Sequence, residues 1–229
     1  MGFLDHRSGP NDLKVGMFHA DTIAVKLFFD SLKADRTRSQ QGAVMVEAAM
    51  VLPVMIFIVV GIIEFGMLFT SYSTSTASTR SGARVAATAY AQAGTVPEAQ
   101  NAALTQIALS TAADLKVLTN GTPVGMAVYK VNPATADGAP FGGFPVDAMA
   151  GGCSSSCVKF TWDTTTKSMT QTTGSWTNAD ACGVTVDTIG VFVQVNHTYI
   201  TGFFGTTRTV TGHTVMRLEP LPSDQCPGG

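Results

Sequence analysis

From Ala43 to Phe69 the chain reads AVMVEAAMVLPVMIFIVVGIIEFGMLF, and no Lys, Arg, Asp or Glu lies between Ala48 and Ile63. A helix of this length spans the ~30 Å hydrocarbon core of a bilayer with some tilt. Pro53 lies inside the run, where membrane helices tolerate a mild bend. Acids close the uncharged stretch at both ends, Glu47 and Glu64. A charged group costs at least ~2.5–3.5 kcal/mol at the centre of a bilayer and less toward its surface, so an acid in such a run is by default functional.

The flanks give a direction. Lys33, Arg36 and Arg38 precede the run, and the uncharged SYSTSTAST follows it. The positive-inside rule then predicts a cytoplasmic N-terminus and an extracytoplasmic C-terminal bulk, a single pass through the cytoplasmic membrane. A cleaved secretory signal is the competing pattern, but its apolar region is shorter and ends in a small-x-small site. An uncleaved signal anchor stays open.

Cysteine placement agrees. All four cysteines, Cys153, Cys157, Cys182 and Cys226, follow the run, as disulfide candidates in an oxidising compartment would. Three pairings are possible and the spacing selects none. Zinc is disfavoured, because Cys153 and Cys157 have no close second ligand pair. Only 13% of residues are charged and the net charge is −2, which excludes a basic nucleic-acid-binding surface.

The region beyond the run reads as α+β. Alanine-rich residues through Ala93, with Arg80 and Arg84 one turn apart, predict that the membrane helix continues outward as a stem that Gly94 ends. Thr95, Pro97 and Glu98 predict a capping box opening a second, amphipathic helix, with Leu104, Ile107, Ala108, Thr111, Leu115 and Leu118 on its apolar face. Strands are predicted over 126–131, 158–163, 169–176, 186–200 and 207–219, forming a mainly antiparallel sheet under the helices, with a Gly/Pro/Ala loop over 132–152. The tail at Cys226-Pro-Gly-Gly is expected to fray.

No catalytic signature is present: G-x-S-x-G, H-E-x-x-H, G-x-G-x-x-G and the Walker motif are all missing. His197 and His213 are expected as strand histidines on a wet face, facing each other across a hairpin. Trp162 and Trp176 are expected in the core. The reading is not an enzyme, with no cofactor and no metal.

Several short stretches appear together. Gly42 is followed by Ala43-Val-Met-Val-Glu47, then by A-x-V-L-P (Ala49–Pro53), G-I-I-E-F-G (Gly61–Gly66) and R-x-G-A-R (Arg80–Arg84), and TVMRLEP stands near the end. In this order they resemble the TadE-like pseudopilins of tight-adherence (Flp, type IVc) pilus systems. The resemblance implies cleavage after Gly42 by a prepilin peptidase, leaving Ala43 as the mature N-terminus. It also implies other pilins and pseudopilins, the membrane platform of the assembly machinery and the lipid membrane as partners. It divides the chain into a cytoplasmic leader 1–42, a transmembrane helix and stem 43–93, and an extracytoplasmic domain 94–229. Ala48 stands where major Flp pilins commonly carry tyrosine, and the chain is far longer than theirs, so a minor component is expected. Met17 is an alternative start, and an uncleaved membrane-anchored adhesion module is the rival function.

Glu47 lies one helical turn from the amine that cleavage would create at Ala43, and opposite charges there offset each other's cost of embedding. Glu64, roughly 25 Å farther along the helix, is the possible second intramembrane acid. It is expected to snorkel at the outer interface, with pairing to another subunit as the alternative.

Overall fold

The computed structural model describes residues 41–94, 96–182 and 185–226. It divides into two compact units, Met1–Phe57 and Ile58–Gly229. Of the first, only residues 41–57 are described, and the remainder of the expected leader lies outside the described residues.

Helix α1 (Gln41–Ala93) has 53 residues and runs through Pro53. Among the described residues it is the one helix long and apolar enough to cross a membrane. From residue 42 to residue 57 its side chains are exposed on every face, including Met45, Met50 and Phe57. A helix that is apolar all round suits a medium other than water.

In the second unit the same helix changes character. Glu64, Ser71, Ser75, Ser78, Thr79, Ala83, Ala86 and Tyr90 are buried, and apart from the adjacent Ser78 and Thr79 they follow one another at spacings of three, four or seven that keep them on one side of the helix. Most are small, which lets the backbone approach its neighbours closely. Gly82 is the tightest point: a Cβ there would collide with Thr111 Oγ1, so glycine permits the crossing with the next helix. The R-x-G-A-R stretch is explained by this crossing, with Gly82 and Ala83 turned inward and Arg80 and Arg84 in solvent. The stem is thus part of the domain's core.

Gly94, with φ of 56°, ends α1 in the left-handed conformation. Helix α2 (Pro97–Leu115) starts with proline in its first turn, and its N-cap is Val96 with no side-chain cap. The expected capping box is therefore corrected, because Glu98 sits one position too early to close it; Thr95 lies outside the described residues. The inward face of α2 carries Leu104, Ile107, Ala108, Thr111 and Leu115, as the periodicity predicts, and Gln100 as well.

Five strands follow: β1 (Gly121–Lys130), β2 (Cys157–Asp163), β3 (Ser168–Ser175), β4 (Thr188–Thr198) and β5 (Thr207–Arg217). They form one sheet in the order β3-β2-β1-β4-β5, antiparallel throughout. Central strands β1 and β4 are buried on both faces. Met126, Val128, Ile189, Val191, Val193 and Val195 pack under the helices. Ala127, Tyr129 and Phe192 point the other way, into a second cluster closed by Met149 and Phe144 from the loop between β1 and β2. That loop is tied down by Gln194, whose Oε1 accepts from Met149 N–H at 3.1 Å. Edge strand β3 is mostly exposed and threonine-rich, while β5 lies along α1, with Thr79 and Thr214 hydroxyls 2.9 Å apart.

Cys153 pairs with Cys157, joining the covering loop to β2, and Cys182 pairs with Cys226. Trp176 is buried against Tyr90, with ring centroids 4.8 Å apart, and its carbonyl accepts the tyrosine hydroxyl. Burial pushes the phenols of Tyr90 and Tyr129 well above the ordinary tyrosine range.

Candidate functional site

The expected site residues fall into two groups. Gly42, Ala43 and Glu47 lie in the first turns of α1, all exposed. Nothing stands within 4 Å of where a Cβ on Gly42 would be, so the backbone there is open to close approach. Among the described residues Glu47 has no hydrogen-bond or ion-pair partner.

Glu64 behaves in the opposite way. It is 1% exposed, and its carboxylate accepts three hydrogen bonds from the turn between β4 and β5. Ile200 N–H donates to Oε2 at 3.2 Å, while Thr201 N–H and the Thr201 hydroxyl donate to Oε1 at 2.6 and 2.7 Å. Snorkelling into solvent is corrected by this burial: the β4–β5 turn supplies a set of donors from the same chain. Charge-assisted bonds of this kind are among the stronger ones.

One to two turns farther along α1, Ser71 Oγ lies 2.9 Å from His197 Nδ1 on β4. His197 is fully buried, with its ring edge-on to Tyr199 at 5.1 Å. Burial holds its imidazole below the ordinary histidine value, and the charge of Glu64 works in the other direction. The wet-face expectation therefore fails for His197. The two histidines also do not face each other: His197 pairs with Arg208 and His213 with Phe192. A bond from Asn120 Nδ2 to Met67 Sδ at 2.6 Å adds a further tie between α1 and the sheet.

Beside these ties lies an open groove of about 560 Å³, lined by Phe65, Leu68, Phe69 and Tyr72 of α1 and by Arg208–Thr211 of β5. Its α1 wall is mostly apolar, its β5 wall carries Thr209 and Thr211, and its one charged lining residue is Arg208.

Residues 42–84 match the family model described as TadE-like protein. The segment is TadE-like. The TadE-like stretch begins at Gly42, includes Glu47 and Glu64, and ends at Arg84, just past the Gly82 crossing. It therefore covers both the exposed apolar part of α1 and the start of the packed stripe, while α2 and the sheet lie beyond it. No curated protein and no solved structure matches the chain at a significant level.

The tie between Glu64 and the β4–β5 turn is absent from the sequence reading. A signal was present, since Glu64 shares its helical stripe with Ser71, Ser75, Ser78 and Gly82, and a stripe of small residues marks a packed face.

Proposed function

We propose that this chain is a minor pseudopilin of a tight-adherence pilus system, anchored by α1 and cut after Gly42 by a prepilin peptidase. It is read as a structural protein of pilus assembly and not as an enzyme. The supporting observation is the TadE-like match beginning at Gly42, combined with the exposed stretch of α1 there, apolar except for Glu47. In this reading residues 1–42 are a cytoplasmic leader, the apolar part of α1 crosses the membrane, and the α+β domain lies outside.

Glu47 supplies the chemistry of assembly. Cleavage would leave an ammonium at Ala43, one turn from a carboxylate that has no partner among the described residues. In an apolar bundle of helices each charge needs the other, within one subunit or between neighbours. The other pilins and pseudopilins, the assembly platform and the peptidase are the partners this implies.

The reading is tested by deleting the gene and complementing it. Loss of surface pili on deletion, restored by the wild-type chain, together with recovery of the protein alongside sheared pili or the platform proteins, is the expected result. Normal piliation without the chain would overturn it.

A further inference from the structure

The turn that Glu64 holds has an unusual surface. From Thr198 to Thr207 the sequence TYITGFFGTT carries no charge, and Ile200, Phe203 and Phe204 are 66%, 65% and 51% exposed. The helix beside it is equally apolar. Phe65 and Phe69 are exposed, and the Phe65 and Phe204 rings lie 5.3 Å apart. Turn and helix thus form one continuous apolar surface within the second unit.

Its position along α1 names the occupant. Glu64 fixes the turn at its own level on the helix, yet the apolar run continues through Leu68 to Phe69, more than a helical turn farther and roughly 7 Å along the axis. If that run is in lipid, a turn tied at Glu64 is below the membrane surface. We propose that the β4–β5 turn, with the adjoining groove, is a lipid-docking element that seats in the leaflet on the domain's side of the bilayer. This rests on the membrane-anchor reading of α1.

Part of the turn's hydrogen bonding is already met from within the protein. Irregular backbone enters lipid only when its polar groups are satisfied from within the protein. Here Ile200 and Thr201 amides are taken by Glu64, Tyr199 N–H donates to Thr206 O at 3.1 Å, and Gly205 N–H donates to Gly202 O at 3.2 Å. Gly202 and Gly205, with φ of 73° and 107°, make so tight a turn possible. Arg208, at the base of the hairpin, is exposed and lines the groove with Phe65 and Phe69. That places a cation opposite an apolar helix wall, the pairing that a phospholipid's phosphate and acyl chain would meet. Seating depth is that of an interfacial element, about 5–10 Å into the headgroup and acyl boundary. The acid in the G-I-I-E-F-G stretch is explained by this role: it takes two backbone amides of a turn that leaves water.

The test uses the full chain in vesicles of phosphatidylcholine and phosphatidylglycerol carrying lipids brominated at shallow or deep positions. Three variants are compared, Phe204→Trp, Val146→Trp as an exposed site on the covering loop, and Phe57→Trp in the apolar part of α1; the fixed signal of Trp162 and Trp176 is subtracted. The expected result is that F204W loses fluorescence chiefly to shallow bromines, F57W chiefly to deep ones, and V146W to neither. F204W no more quenched than V146W while F57W is quenched would leave the anchor standing and overturn the docking element. F57W unquenched by any lipid would overturn the anchor and the docking element together. F204W shielded from aqueous acrylamide yet untouched by bromolipid would show that another copy of the chain covers the turn, and would also overturn the proposal.

Discussion

Glu47 and Glu64 belong to the same helix and the same TadE-like segment, yet their surroundings are opposites. Glu47 stands exposed in a stretch where nothing in the described chain touches its carboxylate. Glu64 is buried and holds three donors from a turn far away in sequence. Among the described residues the same side chain is thus exposed and without a hydrogen-bond partner in one place, and engaged by the protein's own fold in the other. An acid in an apolar run does not state its role. What converges on it does.

The comparison breaks most visibly in assembly. Glu47→Ala should leave cleavage and the stability of the isolated protein unchanged. It should reduce incorporation by on the order of a hundredfold or more, since stranding one buried charge costs ~3–5 kcal/mol. The amount co-purifying with sheared pili measures this. Glu64→Ala should do the reverse, lowering folding stability because two backbone amides lose their acceptor at about 1–3 kcal/mol each. Denaturant unfolding in micelles reads the loss, and faster hydrogen exchange at Ile200 and Thr201 locates it. Glu64→Gln, which keeps an acceptor, should lose less.

Gly82→Val sharpens the contrast between the two parts of α1. It should cost ~1–3 kcal/mol by overpacking against Thr111 and Val191, whereas Gly42→Val should leave stability unchanged, because Gly42 has open space around it. A thermal melt of each variant decides this.

The smallest effect is in pH. His197 is held neutral by burial, so its folded-state pKa lies below that of the unfolded chain. Below about 6.5 the unfolded chain takes up a proton that the native state refuses. The contribution of His197 is thus complete above that pH and is lost as pH falls toward its folded pKa, by at most ~1.4 kcal/mol per pH unit. Unfolding titrations between pH 7 and 5.5 should show this slope, and His197→Phe should flatten it.

Much of this was legible in advance. Composition and flanking charge marked the apolar run, periodicity gave α2 apart from Leu118, which lies past its end, and alternation gave four strands to within two residues and β1 with its start five residues late. Long-range pairing was not legible. Nothing local in Gly61–Gly66 says that Ile200 and Thr201 return to Glu64, and nothing in His197 says that Ser71 will cover it. The second buried face of β1 and β4 was hidden for a related reason: its cover is the loop of Phe144 and Met149, which has no periodicity to read. The cysteine pairing needed coordinates as well, since Cys182 and Cys226 meet across a separation of 44 residues.

The central claim is that α1 begins as a processed, pilin-like anchor, and N-terminal sequencing of the protein recovered from its own membranes tests it most directly. The account predicts Ala43 as the first residue in cells with the prepilin peptidase, whichever methionine starts translation, and the uncut chain in cells without it. An N-terminus upstream of Gly42 in peptidase-competent cells would contradict it.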